Sequence, residues 1–228
     1  MTGTLFSLAH GATEVLLVRH ADAAPSLAPG VDGTVEHKIY RDLPLSEEGR
    51  RQARALATRL AHSAITTIYS SPVRRAGETA KVISRATRRA ITYDERLREV
   101  EIGGLDRPRH PAEFGPHLDR LAELAIAHGG WSQVPGSEES ASIRARMRAT
   151  IDEIAQTHPG KRIVVVTHAG TINAYLADVL DMPSDFFFPA ANTSVNVVRL
   201  HDGKRLLIGL NDVAHLHTGY RSKSTRLG

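Results

Sequence analysis

Cysteine is absent from the 228 residues, which excludes disulfides, thiolate metal sites and a cysteine nucleophile. No apolar run approaches the roughly 20 residues that cross a bilayer, so no membrane association is expected. The opening MTGTLFSLAHG has a short apolar patch without a basic leader and does not read as a signal peptide. Together these absences point to a cytoplasmic setting. A basic stripe is missing too. The pI is 9.6, yet the net charge is only +4, arginine outnumbers lysine 24 to 5, and cations mix with acids as in EEGRRQAR. That scatter argues against nucleic acid as a partner and for small anionic ligands. Internal repeats are lacking. So are GxSxG and HExxH, which disfavours a serine hydrolase and a zinc hydrolase. The pair His215-x-His217 has no accompanying carboxylates and reads as surface, so no metal is expected.

What is present alternates between strand and helix. Residues 15–18, VLLV, and 162–166, RIVVV, have the continuous apolar pattern of parallel strands buried on both faces. Shorter strands are expected at 65–69 and 91–93. A final pair at 194–200 and 205–210 flanks HDGK, where Asp202-Gly203 suits a tight hairpin. Ser46 caps a helix whose first turn holds Glu47 and Glu48, with Ala53, Leu56 and Leu60 at helical spacing. Ser71-Pro72 reads as a cap with proline at the first helical position, opening a helix to about residue 85. A short helix at 117–127 lies inside an excursion, 103–136, broken by RPRHP, FGP, HGG and VPG and read as a lid. Ile143, Met147, Ile151 and Ile154 mark a long helix, and 171–180 another. This order predicts a three-layer α/β sandwich with a mostly parallel central sheet flanked by helices. It is expected to be a single domain over 1–228, with its core at about 14–210 and a polar tail at 220–228.

Both strong strands end on polar side chains: VLLV on Arg19-His20 and RIVVV on Thr167-His168. Ligands of parallel α/β folds gather beyond the carboxyl ends of the strands, so the two pairs should face one crevice. Gly170 lets backbone approach a ligand closely. Arg75 falls in a first helical turn, where unpaired N–H groups and the helix dipole favour an anion. A guanidinium there can grip two phosphate oxygens. Glu99, in RLREVEIGG, can give a proton to a leaving oxygen and take it back. Singly, each has a plainer reading: a histidine bonded to a carbonyl, an exposed helix arginine, a solvated glutamate.

Their order says more. RHA at 19–21, LPLSEEGRRQA at 43–53, SSPVRRAGETA at 70–80, LREVEIG at 97–103, VPGSEES at 134–140 and THAGTINA at 167–174 run through about residues 14–200. In this order they resemble the histidine phosphatase superfamily, branch 1, the phosphoglycerate mutase-like group. The resemblance implies a metal-independent, cofactor-free phosphatase acting on a small phosphorylated substrate. His20 would be the nucleophile that forms a phosphohistidine. Arg19, Arg75 and His168 would form the phosphate pocket, and Glu99 would be the proton donor. Homodimers are common in that group. The chain also departs from it. Ala21-Asp22-Ala23-Ala24-Pro25 replaces the glycine, threonine and asparagine that mutases usually carry after RH, and no basic insertion with paired tyrosines is present. Phosphatase therefore ranks ahead of mutase-type transfer and of a non-catalytic phospholigand-binding protein. Asn192 and Thr193 read equally as pocket lining and as loop capping and are left out of the site; substrate choice is assigned to loops 25–41 and 103–136.

Overall fold

A computed structural model describes residues 7–24, 42–103 and 111–216. Loop 25–41, residues 104–110 of the excursion, His217 and the polar tail lie outside the described residues. The strands are β1 (Thr13–Arg19), β2 (Thr67–Ser70), β3 (Ile91–Tyr93), β4 (Arg162–Thr167), β5 (Val195–His201) and β6 (Lys204–Asp212). The helices are α1 (Glu47–Leu60), α2 (Arg74–Thr87), α3 (Pro111–Ala127), α4 (Ser140–Thr157) and α5 (Ala169–Val179). One sheet holds all six of these strands in the order β3-β2-β4-β1-β5-β6. β3, β2, β4 and β1 run parallel, and β5 is antiparallel to both neighbours. The sheet is thus mostly parallel, with one reversed strand.

Helices cover both faces, because the central strands are apolar on both. Val15 and Leu17 of β1 pack with Met147, Ile151 and Ile154 of α4 and Ile172 and Leu176 of α5. Leu16 and Val18 turn the other way, onto Leu56 and Leu60 of α1 and Ala76, Ala80 and Ile83 of α2. The period-2 alternation of a strand makes one run serve two cores. At the amino end of β1, buried Glu14 accepts from Arg162 of β4 at 2.5 Å and Arg199 of β5 at 2.7 Å, tying three strands together.

Several expected boundaries move. The second strand starts at Thr67 rather than 65, although Ile65 is buried. Ser71 is not the cap of α2. That helix starts at Arg74 after Val73, whose carbonyl accepts the first helical bond, from Gly77 N–H. The Ser71 hydroxyl accepts from Val73 N–H and also meets His168, so it serves a turn and a distant ring instead. The helix expected at 117–127 begins at Pro111 and continues through Pro116. Pro116 falls in the second turn, where its fixed φ suits the helix but one i→i−4 hydrogen bond is lost. α5 begins at Ala169, so Gly170 is helical rather than part of a loop. Ser46 caps α1 through Gly49 N–H as expected. At the hairpin, Asp202 and Gly203 have φ of 48° and 72°, the left-handed pair that a two-residue turn requires.

Gly49 is where α1 touches the segment after β1. A Cβ there would overlap the Asp22 carbonyl, which is backbone and has little freedom to yield. Gly49→Ala is expected to cost about 1–3 kcal/mol through overpacking, seen as a Tm lower by on the order of 2–10 °C. An unchanged thermal midpoint would show that the Asp22 segment moves freely.

Candidate active site

Parallel register builds the site. Arg19 of β1 lies opposite Thr167 of β4, and His20 N–H donates to the Thr167 carbonyl at 2.9 Å. The residues that follow, His20 and His168, therefore leave adjacent strands side by side, with ring centroids 5.1 Å apart and edge to face. On the far side of β4, Ser71 N–H donates to the Val166 carbonyl, which brings the end of β2 to the same place. All the expected site residues meet there.

His20 is buried and its Nδ1 lies 2.8 Å from the Ala21 carbonyl. A carbonyl only accepts, so the proton is assigned to Nδ1 and the lone pair to Nε2. Arg75 Nε–H donates to that Nε2 at 3.0 Å, consistent with the assignment. Burial, then His168, Arg75 and Arg19, push the His20 imidazole well below its ordinary pKa, against a smaller opposing effect of the Ala21 carbonyl. The ring is held neutral.

The first motif is fixed by its neighbours. Ala21 N–H donates to Thr79 Oγ1, which itself donates to the Arg75 carbonyl one turn earlier in α2. Asn192 Nδ2 donates to the His20 carbonyl at 3.0 Å, and Thr193 N–H to the Arg19 carbonyl at 3.0 Å. Asn192 and Thr193, read above as pocket lining or loop capping, thus hold the backbone of Arg19 and His20. Their signal was only their place before β5, which pairs with β1.

The cations are buried. Arg19 Nη1 donates to the Ala190 carbonyl at 2.5 Å, while its Nε is buried without a partner among the described residues. Burial lowers the pKa of Arg19; Glu99 opposes that shift and Arg75 adds to it. Burial also lowers that of Arg75, again opposed by Glu99. Guanidinium groups start so high that both stay charged at neutral pH. His168, fully buried, sets Nε2 at 2.9 Å from Ser71 Oγ and leaves Nδ1 without a partner among the described residues. Burial, Arg75 and Arg19 push it well below its ordinary pKa.

Glu99 completes the ring. Its carboxylate accepts from Val100 N–H, Gly170 N–H, Thr171 N–H and Thr171 Oγ1 at 3.0–3.3 Å, so it sits on the amino end of α5. The helix dipole favours an acid there. A Cβ on Gly170 would lie 2.9 Å from Glu99 Oε1 and 3.0 Å from Val100 Cγ2. Gly170 thus makes room for this carboxylate, a refinement of the close approach expected from sequence. The cluster is two guanidiniums, two neutral imidazoles and one carboxylate, an arrangement suited to a tetrahedral dianion.

Among the described residues no group of three or more His, Asp or Glu could hold a metal ion. His215 Nε2 lies 3.0 Å from Thr193 Oγ1, so it is part of the packing behind the site. A groove of about 540 Å³ lined by Gly11, Asp152, Gln156 and His201 is at the opposite end of β1 and shares none of these residues. No helix among the described residues is long and apolar enough to cross a membrane.

Comparison with known proteins gives the family. The sequence profile of the Histidine phosphatase superfamily (branch 1) matches residues 15–213. A metal-independent phosphoserine phosphatase of Arabidopsis thaliana is 29% identical over 90% of this chain and 83% of its own length. Phosphoglycerate mutase-like protein 4 of the same plant is 30% identical over 91% and 89%. Among solved structures, YhfR of Bacillus stearothermophilus superposes with a TM-score of 0.72 at 25% identity, covering 90% of this chain and 99% of its own. With the profile spanning nearly the whole described chain, the protein belongs to branch 1 of the histidine phosphatase superfamily.

Proposed function

We propose that the protein is a metal-independent phosphomonoesterase that works through a phosphohistidine on His20. The observation that carries this reading is the neutral His20 ring, with Nδ1 tied to the Ala21 carbonyl and Nε2 turned toward Arg75. In the first step Nε2 attacks phosphorus, the bond to the leaving oxygen breaks, and Glu99 gives that oxygen a proton. The Arg75 N–H exchanges its ring partner for a phosphoryl oxygen. Arg19, Arg75 and the Ser71-bonded His168 surround the remaining oxygens, where fixed donors stabilise developing charge without reorganising. In the second step water attacks phosphorus, Glu99 takes its proton, the N–P bond breaks and orthophosphate leaves. His20 returns neutral.

The substrate class is a small phosphorylated metabolite, a reading supported by the relative named as a phosphoserine phosphatase. Mutase-type transfer shares the first step and returns the phosphoryl group to a bound hydroxyl. Hydrolysis is preferred because Ala21-Asp22-Ala23-Ala24 offers no threonine or asparagine side chain after the nucleophile.

Three outcomes are expected. With EDTA present, wild type should hydrolyse p-nitrophenyl phosphate and His20→Ala should lose roughly 10³-fold or more in kcat. Retained turnover in His20→Ala, or full loss with EDTA in wild type, would defeat the reading. Glu99→Gln should slow alkyl phosphates about 10²-fold or more and spare aryl phosphates, whose leaving oxygen needs no proton; equal losses would remove Glu99 from proton transfer.

The third concerns pH. Both imidazoles have folded pKa values below 6.5, so under that pH the unfolded chain takes up protons that the native state refuses. Stability should therefore fall as pH drops below 6.5, by up to about 1.4 kcal/mol per unit for each ring. Activity should hold through mild acid and fail only when His20 protonates. Urea midpoints measured across this range should decline less steeply in His20→Asn; an identical decline would mean the rings are not held neutral.

A further inference from the structure

Glu99 stands on a stretch without regular secondary structure, residues 98–102, although its carboxylate must meet the leaving oxygen within a few tenths of an ångström. We propose that Arg146, on α4 and outside the phosphate pocket, is the positioning residue that holds this stretch, and through it Glu99, in register for proton transfer. The inference rests on the role of Glu99 proposed above.

Arg146 contacts both sides of the turn. Its Nη1 donates to the Arg96 carbonyl at 2.6 Å and the Arg98 carbonyl at 3.1 Å, the latter belonging to the peptide that enters Glu99. Thr171 Oγ1 lies 3.0 Å from the same Arg98 carbonyl and 3.0 Å from the Glu99 carboxylate, with its single proton shared between them. The other edge of the guanidinium forms a two-pronged pair with Glu138, Nε to Oε1 at 2.9 Å and Nη2 to Oε2 at 2.7 Å. Glu138 in turn donates its backbone N–H to the Glu101 carbonyl at 2.8 Å, and Ser137 Oγ accepts from Gly103 N–H at 2.8 Å. A closed loop of contacts results: Arg146 grips the chain before Glu99, and its partner Glu138 grips it after. Both side chains are about four-fifths buried, at 20% and 21% exposure, so water competes weakly for these bonds.

The guanidinium shape is essential. Two carbonyls on one edge and a carboxylate on the other need a planar group with several donors, and a lysine ammonium cannot face both ways. A purely structural arginine would stabilise α4 against the turn and leave the chemistry alone. A positioning arginine should act only where Glu99 acts.

The test compares an alkyl with an aryl phosphate in Arg146→Met, Arg146→Lys, Glu99→Gln and the Arg146→Met/Glu99→Gln double variant. For Arg146→Met, kcat on the alkyl ester should fall about ten- to a hundredfold, with KM on both esters and kcat on the aryl ester within about twofold of wild type. Arg146→Lys should show the same selectivity with a smaller loss, and it carries the comparison if the methionine variant does not fold. Added to Glu99→Gln, Arg146→Met should cause no further loss, because the group it positions is already gone. Equal slowing of both esters in the Arg146 variants, beside a selective Glu99→Gln, would overturn the Arg146 role alone. A Glu99→Gln indifferent to the leaving group would overturn the proton-donor reading and this inference with it.

Discussion

The in-register pairing of β4 with β1 determines where the two imidazoles of the candidate site stand. Each strand presents an apolar run and then, within one residue of its neighbour, an imidazole: His20 after Arg19, His168 after Thr167. A slip by one residue would exchange the two faces of a strand, burying and exposing the wrong set on both cores. Packing against α1 and α2 on one side and α4 and α5 on the other therefore locks the register, and the register locks the two imidazole rings side by side. Glu14, clamped by Arg162 and Arg199 at the other end of β1, pins the same alignment.

The charge state of the cluster follows from its burial. Desolvation keeps His20 and His168 neutral and weakens, without abolishing, the preference of Arg19 and Arg75 for their protons. The arginines also repel one another, and one carboxylate does not balance two guanidiniums. Arg19 Nε and His168 Nδ1 are both buried without a partner among the described residues. The same burial that leaves Arg19 Nε without a partner among the described residues thus also holds the His20 ring unprotonated.

Glu99 illustrates a different solution. His20 stands at a strand end and Arg75 on a helix, whereas Glu99 stands on an irregular turn. Its precision is borrowed from α5, whose amino end receives the carboxylate, and from α4, whose Arg146 holds the carbonyls before it. Gly170 allows the first contact, since any Cβ there would crowd the carboxylate.

Local chemistry by itself determined a good deal. Apolar runs named the central strands, their polar termini named His20 and His168, Ser46 announced α1, and Asp202-Gly203 announced the hairpin. Each of these signals is contained in a few consecutive residues, where periodicity and φ preference act. The order of the strands and the reversal of β5 were decided only by tertiary packing. So was the use of Ser71, whose hydroxyl could have capped a helix but faces His168, 97 residues away. The bond of Asn192 to the His20 carbonyl, the seating of Glu99 against Gly170 and the grip of Arg146 on its turn were likewise decided by tertiary contacts. Those roles arise from hydrogen bonds between remote segments, and a side chain with two available partners takes the one that the folded backbone brings within reach.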